Sequence, residues 1–159
     1  MADLPVRIVA LPPMRVATVL TFGPGPELLA WEKLISWAGK KGLLEARQER
    51  RIFGFNNPDP SPGSPNYGYE FWITVRPEVE SDAEATVKEF PGGRYAVTRC
   101  KGAHNITETW QELSTWVENS AYQHSPHQYL EEHLGAPTAP VSVENLLLDL
   151  HFPIADEPA

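Results

Sequence analysis

The sequence predicts an α+β fold in which a β-α-β-β unit is used twice, the copies related by a pseudo-two-fold axis. Three observations predict it. The chain matches itself without gaps when Trp31 is laid on Trp110, a shift of 79 residues; four of the five tryptophans pair off under that shift; and each half holds one amphipathic helical stretch among β-prone runs. The shift also lays Pro12 on Pro91, Arg15 on Arg94, Ala17 on Ala96, Gly23 on Gly102, Leu34 on Leu113 and Trp37 on Trp116. Further along, Pro58 meets Pro137, Asn66 meets Asn145, and Glu70 meets Asp149. Repeat one covers about residues 6–76 and repeat two about 85–154. At 159 residues the chain fits one domain, 1–159, with one shared core and no need of a disulfide or structural metal.

The elements follow in order. Residues 6–11 (VRIVAL) and 85–90 (ATVKEF) are β-prone, and each stops at a Pro. Residues 14–22 and 94–101 alternate as strands, then Gly23 and Gly102 break them. Helices follow over about 26–41 and 105–120. Pro26 suits the first helical position, while Asn105 with Glu108 suits an N-cap and its N3 acid. Leu28, Trp31, Leu34, Ile35 and Ala38 make one apolar stripe, as do Ile106, Trp110, Leu113 and Val117. Two strands close each half, 51–56 with 67–76 and 127–134 with 144–154. The Pro- and Ser-rich stretch 57–66 reads as a surface loop, and acidic 77–84 joins the halves.

Composition removes several classes of function. Thirteen Lys and Arg against twenty-one Asp and Glu leave a charge of −8, which repels phosphate backbones and argues against nucleic acid as a partner. One Cys forms no internal bridge and favours a reducing compartment. The sequence shows no secretory leader and no apolar run near 18 residues, so the expectation is a soluble, cytoplasmic protein with no membrane partner. His124 and His127 are the only close histidines, and HExxH, GK[ST], GxGxxG and GxSxG are all missing; no metal and no cofactor are expected. Cys100, between Arg99 and Lys101, reads as a packed strand residue.

The candidate chemistry lies on the closing strands and helix flanks. In 67–76, alternation puts Tyr67, Tyr69, Phe71, Ile73 and Val75 on one face and Glu70, Trp72 and Thr74 on the other. In 144–154, Leu148, Leu150, Phe152 and Ile154 form an apolar face that would pack on the helices, with Leu147, Asp149 and His151 opposite. Acids mixed with Trp and His are unusual for a solvent face; they line a cleft or are incidental. Residues 127–134 put Tyr129, Glu131 and His133 in line, an aromatic, a carboxylate and an imidazole that could bind a cation or move a proton. Solvated glutamates are the plainer alternative. Trp37 and Trp116 lie about 120° off the apolar stripes, where each pads a helix flank or walls a cleft.

Read together, these stretches resemble the GyrI-like, or effector-binding, domain, which also forms the drug-sensing half of multidrug-responsive AraC-type and MerR-type regulators. PGGRYAVTRCKG (91–102) is similar to the family's GGxYA-like strand ending in Gly, and WQELSTW (110–116) to its WxxLxxW helix. YLEEHL (129–134) resembles the F-E-x-Y segment and LDLHFPI (148–154) the closing strand. The resemblance spans Val6 to Ile154 and implies an antiparallel sheet with two main helices. It makes Glu131 the acid that faces a cationic ligand in an aromatic pocket. The family's Tyr two positions on is His133 here, and an aromatic of the last strand is His151. In the first half the counterpart of Glu131 is Ile52.

The function this implies is a stand-alone, multidrug-type binder of bulky cationic or apolar aromatic small molecules. The expected ligand-binding residues are Glu131, Tyr129, His133, Glu70, Trp72, Asp149, His151, Trp37, Trp116 and Tyr69. The resemblance also implies an alternative, a hydrolase of cyclopropane-bearing genotoxic natural products with Glu131 as catalytic acid–base. A third is an adaptor or inhibitor that binds a protein partner.

Overall fold

The computed structural model describes residues 4–44, 50–57, 59, 61–134 and 146–155. Eight strands and two main helices follow in the order β1 (Arg7–Leu11), β2 (Met14–Gly23), α1 (Glu27–Lys40), β3 (Ile52–Asn56), β4 (Tyr67–Thr74), β5 (Thr86–Phe90), β6 (Gly93–Lys101), α2 (Ile106–Glu118), β7 (Leu130–His133) and β8 (Leu147–Ile154). The chain divides into two compact units. One runs from Met14 to Phe90; the other joins the segment up to Pro13 to that from Pro91 on.

Both units have one topology. In the first, β4 pairs with β3 and β2, and β2 also pairs with β5, all antiparallel. In the second, β8 pairs with β7 and β6, and β6 also pairs with β1, all antiparallel. The α+β class and the duplicated unit are thus as the sequence predicts. The leading strand of each repeat, however, pairs in the other unit: β1 runs beside β6, and β5 runs beside β2. Each unit is completed by an edge strand from the opposite repeat.

One helix covers one face of each unit. Ala30, Leu34, Trp37 and Ala38 of α1 are buried against Ala17, Val19, Phe71 and Ile73. Leu113 and Val117 of α2 are buried against Ala96, Leu148, Leu150 and Phe152. Each fully buried aliphatic side chain contributes about 1.5–3 kcal/mol, so these contacts fix where the helices lie. Leu148, Leu150, Phe152 and Ile154 therefore face α2, as alternation requires.

Several boundaries move for local reasons. β7 starts at Leu130, not 127: His124 makes one bridge to Ile154, and Pro126, without an N–H, interrupts pairing. β4 stops at Thr74, although the Val75 amide still reaches the Arg15 carbonyl at 2.9 Å. Asn105 caps α2 without a side-chain bond; its Nδ2 donates instead to the Lys101 carbonyl, 2.9 Å, and a 3-10 turn over Ala103–Asn105 leads into the helix. Pro26 is the α1 N-cap, one position before the expected one. Of the expected strand 144–154, residues 144 and 145 lie outside the described residues, as does Pro137.

The face away from α2 holds an ion cluster around the buried Asp149. The Asp149 carboxylate accepts from Arg7 at 2.8 Å and from Arg99 Nε at 2.7 Å. Burial alone pushes this carboxyl up, but the hydrogen bonds and charges of Arg99 and Arg7 outweigh it and hold it below its ordinary value. A depressed carboxylate stabilises the fold above its unfolded pKa and loses that contribution as pH falls through the folded pKa. Asp149→Asn should therefore cost about 1–2 kcal/mol at neutral pH, a value reduced because both guanidinium groups are half in water. Urea unfolding of both proteins from pH 7 down to pH 3 checks this: the gap should begin to narrow below about pH 4. A gap constant with pH would mean that packing, not charge, holds Asp149.

Candidate functional site

Strand register sorts the candidate residues before any side chain is considered. Glu131 pairs with Leu150 and His133 with Leu148, so both side chains share the face that α2 covers. Leu130 pairs with His151 and Glu132 with Asp149, which puts these four on the opposite face. Glu131 with His133, and Asp149 with His151, are therefore separated by the thickness of the sheet.

On the helix face, Trp110 of α2 donates its Nε1–H to the Glu131 carboxylate at 3.0 Å. Four rings group beside that bond. Tyr129 stands edge-on to Trp110, with centroids 5.8 Å apart, and edge-on to Phe152 at 5.0 Å. His124 lies 5.5 Å from Tyr129 and 5.4 Å from Phe152, and its Nε2 is 2.9 Å from the Tyr129 hydroxyl. Burial raises the Tyr129 pKa, so its hydroxyl stays protonated at neutral pH. Phe152 is buried, Trp110 and Glu131 are half-buried, and Tyr129 and His124 are exposed. The result is a carboxylate at the margin of an aromatic cluster that reaches solvent. Ring faces attract a cation, and a carboxylate among rings is less screened than one in water.

On the other face, His151 Nδ1 lies 2.9 Å from the Asp149 carbonyl, an acceptor only, so Nδ1 carries a proton. His151 Nε2 is 3.7 Å from the Glu132 carboxylate, and the ring stands edge-on to Tyr95. Both His151 and Glu132 are buried. Asp149 is committed to Arg7 and Arg99.

In the other unit, Glu70 is buried and accepts from Trp72 Nε1 at 2.6 Å, Asn57 Nδ2 at 2.9 Å and Lys88 Nζ at 3.0 Å. The Lys88 ammonium also lies 4.9 Å from the Trp72 ring centre. Glu70 thus already holds a cation over an aromatic ring, one supplied by β5. Tyr69 is buried on the α1 face, edge-on to Phe71 at 4.9 Å. Trp37 is buried in the same core and donates its Nε1–H to Asp82 at 2.9 Å. Trp116 is half-buried and stacks on Tyr122.

Of the residues expected to bind ligand, Glu131 and Tyr129 stand together in the aromatic cluster, with His133 on the same strand face. Asp149 and His151 share the opposite face, Glu70 and Trp72 form a third group, and Tyr69, Trp37 and Trp116 pack beside helices. Sequence reasoning missed Trp110 as a donor, His124 and Phe152 as cluster members, and Glu132 beside His151. Alternation carried a signal for Glu132, since it places that residue opposite Glu131. Among the described residues no group of three His, Cys, Asp or Glu could hold a metal ion, and no helix is long and apolar enough to cross a membrane.

Two α+β units of one topology place this chain among the GyrI-like effector-binding domains. More narrowly, residues 7–154 match the family model Cass2, described as integron-associated effector binding protein, and the chain belongs to that family. Solved structures agree on the fold. The EcmrR C-terminal domain is similar with a TM-score of 0.73 at 16% identity, covering 97% of this chain and 99% of that one. EcmrR in its DNA complex gives a TM-score of 0.72 at 15% identity and 96% coverage; this chain spans 58% of that longer protein. A hydrolase from Listeria innocua gives 0.66 at 14% identity, covering 98% and 94%. SAV2435 bound to tetraphenylphosphonium gives 0.55 at 12% identity, covering 96% and 95%.

Proposed function

We propose that this protein binds bulky organic cations, with Glu131 as the charge-selecting group and Trp110, Tyr129 and Phe152 as apolar contacts. The observation that carries this reading is the Glu131 carboxylate at the margin of a solvent-reaching aromatic cluster, where the Trp110 Nε1–H donates to it. A neutral N–H orients a carboxylate without cancelling its charge. The acids on the opposite faces, Asp149 and Glu70, already hold cations of the chain itself, two arginines and a lysine. Aromatic area supplies most of the affinity, and the carboxylate selects the sign of charge. The tetraphenylphosphonium complex of SAV2435 supports this ligand class.

The test uses that cation and its anionic isostere. Tetraphenylphosphonium should bind with a Kd on the order of 10 µM or tighter, and tetraphenylborate at least about tenfold more weakly. Equal affinities would remove the case for a charge-selective site. The hydrolase found among similar folds supports a second reading, in which Glu131 serves as a general acid–base with His133 on the same strand face. Turnover separates the two: an enzyme gives product at substoichiometric protein, whereas a binder leaves its ligand unchanged.

A further inference from the structure

Among the described residues, β2 has a second strand beside it along its first half only. The Arg15 carbonyl bonds the Val75 amide on the β4 side, so alternate residues from there, through Val19, Thr21 and Gly23, turn their backbone groups to β4. Thr18, Leu20 and Phe22 turn theirs to the other edge. Thr18 meets Thr86, the last pair of the β5 ladder, and Leu20 and Phe22 lie beyond it. Their side chains are 51% and 63% exposed, and the first turn of α1 adds Leu28 at 61% and Leu29 at 49%. A groove of about 790 Å³ runs along this edge, with Leu20 and Leu29 in its lining.

The repeat supplies an internal comparison. At the same four places the second half has Arg99, Lys101, Thr107 and Glu108. Charged residues on an open strand edge are a common protection against pairing with another chain. The β6 edge has that protection, whereas Val19–Gly23 has no charge, no Pro and a run of exposed apolar groups.

We propose that this edge is a homodimer interface in which β2 pairs antiparallel with β2 of a second copy about a two-fold axis through Thr21. Leu20 then lies opposite Phe22 of the second copy, and both residues of that pair already direct amide and carbonyl outward. The two symmetric pairs form four backbone hydrogen bonds, with Leu–Phe contacts on one face and Leu28 and Leu29 flanking the other. Four side chains at this exposure present on the order of 400 Å² per copy; with the strand edge and groove rim, the contact passes the roughly 1,000 Å² that a specific interface needs. Charge permits self-association although the chain carries −8. Around the groove Glu70 is paired with Lys88 and Glu84 with Lys40, and Glu32 stands beside Lys33.

Sedimentation and light scattering on the full chain test this. The protein should be a dimer at about 100 µM and dissociate on dilution. The double variant Leu20→Arg, Phe22→Lys, which installs the second repeat's residues, should be monomeric at that concentration with an unchanged circular dichroism spectrum. Hydrogen exchange at the Leu20 and Phe22 amides should slow at least about tenfold as concentration rises into the dimer range, and stay fast in the variant. A wild-type chain that is monomeric at 100 µM, or a dimer that survives both substitutions, overturns the proposal; the former outcome would leave the edge to a different protein. Tetraphenylphosphonium affinity should be the same in variant and wild type, so failure here and failure of the ligand reading are told apart.

Discussion

Glu131→Gln should weaken tetraphenylphosphonium binding by about 1–3 kcal/mol, a factor of roughly 5 to 150, and leave binding of a neutral aromatic of similar size unchanged. The amide keeps the shape of the carboxylate and can accept the Trp110 Nε1–H in the same position, so the substitution removes the charge and keeps that bond. Its effect depends on the setting. A carboxylate fully in water would lose only a fraction of a kcal/mol toward a cation, because solvent screens the pair. Between Trp110 and Tyr129 the low-dielectric surroundings preserve more of the attraction. Calorimetric titration of both proteins with cation and neutral analogue gives the answer directly. If Glu131 is instead the acid–base of a hydrolase, Glu131→Gln should abolish turnover of a cyclopropane substrate and leave its binding nearly intact. Unchanged affinity with unchanged turnover would show that the carboxylate was wrongly chosen, and Glu70 and Asp149 would be next.

Gly92→Ala should destabilise the fold by about 2–4 kcal/mol. Gly92 sits at φ +84°, a conformation that disfavours any side chain, and a Cβ there would lie 2.6 Å from the Leu11 carbonyl oxygen and 2.9 Å from the Pro12 backbone. Backbone atoms at a strand end cannot rotate away as a side-chain tip could. Gly25 provides the control: its φ is +60°, but nothing lies within 4 Å of a Cβ placed there. Gly25→Ala should cost only the strain, about 1 kcal/mol. For a chain of this size the two differ by several degrees in Tm, within reach of a thermal melt. Equal melting of both variants would mean that the Leu11–Pro13 segment yields readily.

Much of the fold was legible because it depends on period. The runs 14–22 and 94–101 alternate, the two Trp-bearing helices repeat at helical spacing, and Leu148 to Ile154 announces a face that must be covered. Strand exchange was not legible. Residues 6–11 and 85–90 read as β-prone segments ending in Pro, and nothing in such a segment says which of two similar partners it will join. The site shows the same division. Alternation put Tyr129, Glu131 and His133 together, and the family resemblance singled out Glu131. It could not show that Asp149 and Glu70 are consumed by Arg7, Arg99 and Lys88, because those partners come from exchanged or neighbouring strands. The stripe position of Trp110 announces a core residue and nothing more, whereas a half-buried indole packs on one side and donates on the other.

The exchanged strands also set a schedule for synthesis. Residues 14–90 hold β2, β3, β4 and β5 in sequence, so the ladders among these four strands can form once Phe90 has left the ribosome. β1 is made before those four, yet its partner β6 begins more than eighty residues later. At about 5–20 residues per second, β1 waits roughly 4–16 s for its neighbour. During that time Arg7–Leu11 is an unclaimed β-prone segment, and the β2 edge could accept it before β5 emerges. Pro12 and Pro13 at its end, with no amides to donate, limit how far such a premature pairing could extend. The ion pair of Arg7 with Asp149, 142 residues apart in sequence, therefore forms only after both repeats have been made up to β8, so a strand made early is clasped by one made late.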